Sequence, residues 1–218
     1  MKTLRTLLLT FLAVSLLPLA SRAATVTLTP ASYIITVKKI ELYNSDTSSW
    51  VTVKEGSMTF DIASVISGQD VGEFVSGMTS FPSGTYTQMR CVISRDIQIK
   101  AYNGTHYTTA AQVAFPGATA GKAIVITAGA GGAASAVLGT MHSPNEADAG
   151  APAGMVYTML DADSFQQTWT AAAFTPFTYV QGAPKRFEMD FDVTNKVTFD
   201  DGALVCYTAA PVITITMN

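Results

Sequence analysis

The amino-acid sequence predicts an all-β, antiparallel fold, either a sandwich or a barrel. Residues 186–193 alternate strictly, with Phe187, Met189 and Phe191 on one side and charged side chains on the other. This pattern is typical of a strand with one buried and one solvated face. Residues 212–217 repeat the alternation, and further short runs rich in Val, Ile and Thr are separated by turn residues.

The N-terminal residues 1–23 have the parts of a secretory signal peptide. Lys2 and Arg5 precede an apolar run from Leu7 to Leu17, and small residues at the end form a cleavage site. We therefore predict one domain over 24–218 in the periplasm, the extracellular space or the cell surface, with no membrane span in the mature chain. An uncleaved N-terminal anchor is the alternative.

The charge content argues against a nucleic-acid partner. Only 13% of the residues are charged, with 13 basic against 16 acidic side chains, and no basic run is present. Proteins that bind the phosphates of nucleic acid carry an excess of basic residues.

The first strands show two irregular points. In 33–43 the apolar residues Ile35 and Val37 change phase to Ile40 and Leu42, which predicts a β-bulge at Lys38–Lys39. Asn103–Gly104 predicts a hairpin turn, because both residues tolerate positive φ. The apolar spacing of 61–78 predicts one or two short helices.

Residues 116–154 are rich in Gly, Ala and Pro. We predict a long insertion or mobile loop here, with one strand of its own at 122–127. Loops of this length are usually functional, disordered or contact surfaces.

Cys91 and Cys206 are the two cysteines, and both lie in the exported part. In an oxidising compartment the simplest prediction is one disulfide that joins a central strand to a C-terminal strand. Two buried free thiols are the alternative.

The N-terminal half, about residues 25–100, resembles a family of bacterial exported domains of unknown function (DUF4382-like). The resemblance rests on the segment at 25–44, Trp50, the segment at 60–68 and, most specifically, the turn and strand that start at Pro82. It implies an immunoglobulin-like or transthyretin-like β-sandwich in an envelope or extracellular protein, and it brings no activity. The family pattern is matched by Pro82, Gly84, Tyr86, Thr87 and Arg90. By this resemblance Tyr86 is expected to act as a corner tyrosine and Arg90 as a buried, satisfied guanidinium.

Paired carboxylates give one candidate for a metal. Asp161 and Asp163 end a predicted strand and offer oxygen ligands of the kind Ca²⁺ uses. We expect no cofactor, with weak calcium binding at this pair as the alternative to ordinary solvated side chains.

Aromatic residues are concentrated in 164–180, a segment poor in charge. Trp169, Phe174, Phe177 and Tyr179 are candidates for an exposed surface that contacts another subunit or a glycan. The alternative is packing in the core, since aromatic residues favour strands.

We expect a non-enzymatic structural or cell-surface protein that associates with itself in fibres or a surface layer. A module that binds a glycan or another extracellular ligand is the second hypothesis. A hydrolase with dispersed carboxylates ranks last, because no nucleophile elbow and no zinc-protease motif is present.

Overall fold

The computed structural model describes residues 25–64, 81–118, 120–129, 132–144, 153–170, 172–182 and 187–217. A short 3₁₀ helix at Gly132–Ser135 accompanies the strands. The strands are β1 (Thr25–Leu28), β2 (Ser32–Asn44), β3 (Ser49–Asp61), β4 (Gly84–Ser94), β5 (Asp96–Lys100), β6 (His106–Ala114), β7 (Lys122–Ala128), β8 (Gly139–His142), β9 (Met155–Met159), β10 (Ser164–Trp169), β11 (Phe177–Tyr179), β12 (Phe187–Asp192), β13 (Val197–Asp200), β14 (Val205–Thr208) and β15 (Val212–Met217).

The described strands confirm the all-β prediction. One antiparallel sheet of 13 strands has the order β1-β13-β14-β7-β8-β5-β2-β4-β10-β9, and β3, β6 and β11 add to β2, β7 and β4. Strands β12 and β15, both predicted from their alternation, pair with each other in a second sheet. Neither terminal strand is left unpaired, since β1 pairs with β13.

The large sheet divides at β2. Residues 37–44 of this strand pair with β4, whereas residues 32–34 pair with β5. Strands β4 and β5 are consecutive in the chain and are separated by a bend at Arg95. In the sheet, β4 is followed by β10 and β9 on one side of β2, and β5 is followed by β8 and β7 on the other side. Both halves contribute to one hydrophobic core, as in a β-sandwich; its fully buried members include Ile40, Leu42, Met89, Ile99, Ile124, Ile126, Trp169 and Phe199.

The two local irregularities predicted from the sequence are confirmed. The pairings of β2 with β3 and with β4 both shift register between Val37 and Lys39, which is the predicted bulge. In the predicted turn, the Asn103 backbone N–H donates to the His106 carbonyl at 3.1 Å, and Gly104 has φ 101°.

The Gly/Ala-rich stretch at 116–154 contains part of the main sheet. Strand β7 matches the strand predicted at 122–127, and both β7 and β8 lie inside the strand order rather than at its ends. Ala123 and Ile124 of β7 are fully buried. These strands are therefore integral to the fold, and 145–152 lies outside the described residues.

Of the predicted helical segment 61–78, only the start can be compared. Asp61 ends β3 and residues 62–64 form a turn, while 65–80 lies outside the described residues. In the part of the chain that is described, no helix has the length and apolar character needed to cross a membrane.

Candidate functional site

The aromatic residues predicted to form an exposed contact surface are mostly in the core. Trp169, Phe174 and Tyr179 are 0%, 3% and 1% exposed, so that prediction is wrong for these three. Phe177 is half-buried and stacks on Tyr86, with 5.4 Å between ring centroids. Trp169, Phe174 and Tyr179 all belong to the hydrophobic core, where side chains from other elements cover them.

The residues shared with the family pattern form a tight corner. The Tyr86 hydroxyl donates to the Pro82 carbonyl at 2.7 Å, which confirms the geometry expected of a corner tyrosine. Gly84 packs against the side chain of Asn44 so closely that a Cβ atom at this position would overlap the amide. Asn44 in turn accepts hydrogen bonds from the backbone of Asp46 and Thr47.

Arg90 is paired as expected but is only partly buried. Its side chain is 26% exposed, and its Nε donates to Glu41 at 2.6 Å. The guanidinium also lies over the ring of Trp50, 4.2 Å from the centroid. Glu41 is buried, which by itself would raise its pKa, but hydrogen bonds from Arg90 and Lys39 outweigh burial and lower that pKa.

The buried guanidinium belongs to Arg95, which the sequence does not predict. Arg95 is 4% exposed and lies at the bend between β4 and β5. It donates to the carbonyls of Ser143, Ala162 and Ala120 at 2.6 to 3.0 Å. These carbonyls belong to three loops, so Arg95 holds together segments far apart in sequence.

The structure does not contain the predicted disulfide. Cys91 and Cys206 are both buried free thiols, the alternative left open by the sequence. They lie on β4 and β14, which four other strands separate in the sheet order. Burial raises the pKa of both thiols above the ordinary value, so both are protonated at neutral pH.

Asp161 and Asp163 lie in the exposed turn between β9 and β10. The Asp161 carboxylate accepts a hydrogen bond from the Asp163 backbone N–H at 2.8 Å, and this bond lowers the pKa of Asp161. Among the residues with described positions, no group of three or more His, Cys, Asp or Glu is arranged to hold a metal ion. The carboxylate has a turn-forming role here, and calcium binding stays a prediction.

A cavity of about 310 Å³ lies between the two halves of the sheet. Neither its position nor its residues were predicted from the sequence. The lining residues come from β2, β4, β5, β8, β9, β10, β13 and β14 of the main sheet and from β12 and β15 of the small sheet. The lining consists of Tyr33, Ile35, Ile93, Ile97, Phe115, Met141, Ser143, Pro144, Tyr157, Met159, Phe165, Gln167, Phe191, Thr198, Tyr207, Thr208, Ala209, Ala210, Pro211 and Ile213.

The polar side chains of the lining are those of Tyr33, Ser143, Tyr157, Gln167, Thr198, Tyr207 and Thr208. The Tyr33 hydroxyl donates to Thr208 Oγ1 at 3.1 Å, and burial raises the pKa of Tyr33 to about 12, with a smaller contribution from nearby Tyr157. Burial also raises the pKa of Tyr157 to about 12. Among the described residues, the lining contains no Asp, Glu, Lys, Arg or His. The described part of the lining is therefore uncharged at neutral pH.

Comparison with known proteins gives one match. The family model described as "Domain of unknown function (DUF4382)" matches residues 29–204, most of the chain. No curated protein sequence and no solved structure gives a significant match.

Proposed function

The chain belongs to the DUF4382 family, a domain family of unknown function, and we propose that it is an exported, non-enzymatic module that binds a small, mostly apolar molecule inside its β-sandwich. Export is supported by the signal-peptide pattern of residues 1–23.

The cavity is the observation that carries this proposal. Ligand sites in proteins are concave, mostly apolar and equipped with a few placed polar groups, with volumes of roughly 300 to 1,000 Å³. The cavity described above has about 310 Å³ and an apolar, aromatic lining. A well-packed protein interior holds few voids larger than a water molecule, so a space of this size is unusual in a structural core.

The chemistry of the lining favours binding over catalysis. The ionisable side chains that line the cavity are tyrosines, and burial raises the pKa of Tyr33 and Tyr157 to about 12. A general acid or base works best with a pKa near the operating pH. Glycan binding by the aromatic residues of 164–180 loses support, because Trp169, Phe174 and Tyr179 are buried.

A fluorescent probe tests the proposal directly. N-phenyl-1-naphthylamine is neutral and fluoresces strongly in apolar surroundings, so titration with mature protein measures occupancy of the cavity. Ala210→Phe adds a ring at the cavity wall, and we expect it to weaken probe binding by about tenfold or more. Ala111→Phe on the exposed part of β6 is the matched control. Equal affinities for both variants, or no binding to the wild type, would refute the proposal.

Association between copies is a second candidate, favoured by the ends of the main sheet. Among the described strands, β1 and β9 end the strand order, and neither sequence contains a charged residue. Val156 on β9 is 49% exposed. Natural edge strands are usually protected by charges or bulges; β3 has both, with Lys54, Glu55 and the shifted register.

Light scattering after size-exclusion chromatography tests this second candidate. We expect mature protein to associate as its concentration rises, and Val156→Lys to weaken association by about tenfold. Val180→Lys is the control, because Val180 is 63% exposed but lies outside the edge strands. A wild type that stays monomeric at high concentration would exclude association through these edges.

A further inference from the structure

One pair of polar side chains in the cavity lies on β9 and β10. Tyr157 on β9 and Gln167 on β10 are directly paired across the two strands, and both line the cavity. Side chains of paired residues in an antiparallel sheet lie on the same face, about 5 Å apart at Cβ. The hydroxyl and the amide are therefore neighbours on one wall.

Both groups lack an ordinary hydrogen-bond partner. Gln167 is 4% exposed, and its one side-chain hydrogen bond within the described residues runs from Nε2 to the sulfur of Met155 at 3.1 Å. A thioether is a weak acceptor. The Tyr157 hydroxyl makes no hydrogen bond in the part of the chain with described positions, and its ring contacts Phe165 edge-on at 5.8 Å.

A buried amide without good partners requires an explanation, because nearly all buried polar groups in proteins are satisfied. The Tyr33 hydroxyl, by contrast, is already engaged with Thr208 and the Ala209 carbonyl. Thr198 and Tyr207 form a second directly paired polar set in the lining, but both are half-buried, whereas Gln167 is buried. An O–H and an N–H₂ group side by side can donate two hydrogen bonds to one acceptor.

The rest of the lining limits the size and the charge of a ligand. An engineered apolar cavity of about 150 Å³ binds benzene. The cavity here, at about 310 Å³, is twice as large, which suits a molecule of about two rings or an equivalent branched chain. A charged group would lack a counter-ion there, since no charged side chain of the residues with known positions lines the cavity.

We infer that the ligand is an uncharged molecule of about two-ring size with a hydrogen-bond acceptor, such as a carbonyl oxygen, which Tyr157 and Gln167 bind. This inference rests on the proposed function, because it specifies the ligand of the same cavity. The Tyr33–Thr208 hydrogen bond is a separate polar part of the lining, and the apolar side chains contact the ring system.

Three probes of similar shape separate the contributions of hydrogen bonding and of charge to binding in the cavity. 2-Acetylnaphthalene has a carbonyl acceptor, 2-ethylnaphthalene has none, and 2-naphthoate carries a negative charge. Their affinities are measured by displacement of N-phenyl-1-naphthylamine from wild type, Tyr157→Phe and Gln167→Leu. Tyr107→Phe, away from the cavity lining, is the matched control.

We expect Tyr157→Phe and Gln167→Leu each to lower the affinity for 2-acetylnaphthalene by about threefold to tenfold, which is the net effect of one hydrogen bond. The affinity for 2-ethylnaphthalene should change by less than about twofold in the same variants, because it makes no such bond. 2-Naphthoate should bind wild type more weakly than 2-acetylnaphthalene by roughly a hundredfold or more.

The outcomes distinguish this inference from the function on which it rests. If the acetyl and ethyl probes respond alike to both variants, or if 2-naphthoate binds as tightly as 2-acetylnaphthalene, the ligand class is wrong although the cavity still binds. If none of the probes displaces the dye, or the dye itself does not bind, the proposed function fails with it.

Discussion

At the scale of single residues, the corner around Tyr86 shows how a polar group fixes backbone geometry. Tyr86 is fully buried, and its hydroxyl joins the start of β4 to the preceding turn through the Pro82 carbonyl. Asn44 Nδ2 also approaches the same hydroxyl at 3.4 Å. Gly84 is required beside it because any larger residue would overlap the Asn44 side chain.

We predict that Tyr86→Phe lowers the free energy of unfolding by about 1 to 2 kcal/mol, because the Pro82 carbonyl loses its buried donor while the ring packing remains. Urea unfolding of mature protein measures this change. Tyr102→Phe removes an exposed hydroxyl bonded to the Gly104 carbonyl, and it should cost less than about 0.5 kcal/mol. Equal losses in the two variants would contradict a special role for the corner.

At the scale of elements, the bend between β4 and β5 decides how the sheet divides. The sequence predicts one long strand over 85–102 with Met89, Cys91 and Ile97 on one face, and these residues are indeed buried. The break at Arg95 was not predicted, because a single arginine in an alternating run gives no sign that its guanidinium will be buried. Only the carbonyls of distant loops make that burial favourable.

We predict that Arg95→Met destabilises the protein by about 3 kcal/mol or more, since three carbonyls lose charge-assisted hydrogen bonds in a buried place. Lys100→Met, at the end of β5, should change stability by less than about 0.5 kcal/mol. Hydrogen exchange of the amides of Ser143 and Arg95 gives a local measurement. The Ser143 backbone N–H donates to the Arg95 carbonyl, and the Arg95 guanidinium donates to the Ser143 carbonyl. Unchanged protection of the Ser143 amide would show that Arg95 does not hold the loop at Ser143 in place.

At the scale of the whole molecule, the core combines side chains from both halves of the sheet with two protonated thiols. Burial raises the pKa of Cys91 and Cys206 above 9.0. An unfolded thiol ionises near its ordinary pKa, whereas the folded thiol keeps its proton. The stability that this difference contributes is therefore complete below about pH 9 and is lost as pH rises toward the folded-state pKa values.

We predict that, with reductant present, the free energy of unfolding falls above about pH 9 by about 1.4 kcal/mol per pH unit for each thiol. The double variant Cys91→Ala, Cys206→Ala should show no such loss until about pH 10, where Tyr33 and Tyr157, each with its pKa raised to about 12, begin to contribute in both proteins. Urea unfolding from about pH 7 to about pH 10 measures both slopes. Identical slopes would show that the thiols are not buried free groups.

The same titration without reductant bears on the disulfide predicted from the sequence. Oxidised protein with a Cys91–Cys206 bond would lose two hydrogens in mass and would lack the thiol-dependent slope. Protein with two free thiols would match the reduced sample.

Features that depend on residues close together in the chain follow from the amino-acid sequence alone. Alternation predicted β12 and β15, the phase change predicted the bulge at Lys38–Lys39, and Asn103–Gly104 predicted the turn. These patterns report local backbone geometry and the direction of successive side chains, which a strand fixes over a few residues. The resemblance added the corner at Tyr86, because a recurring turn geometry is encoded in a short motif.

Contacts between residues far apart in the chain follow only from the tertiary structure. The sequence could not show that Trp169 and Tyr179 are enclosed, that β7 and β8 are internal strands, or that Arg95 is buried. The cavity belongs to the same class, because its walls come from strands brought together by long-range pairing. An alternating strand shows that one face is buried, but the residues that cover this face depend on the order of strands in the sheet.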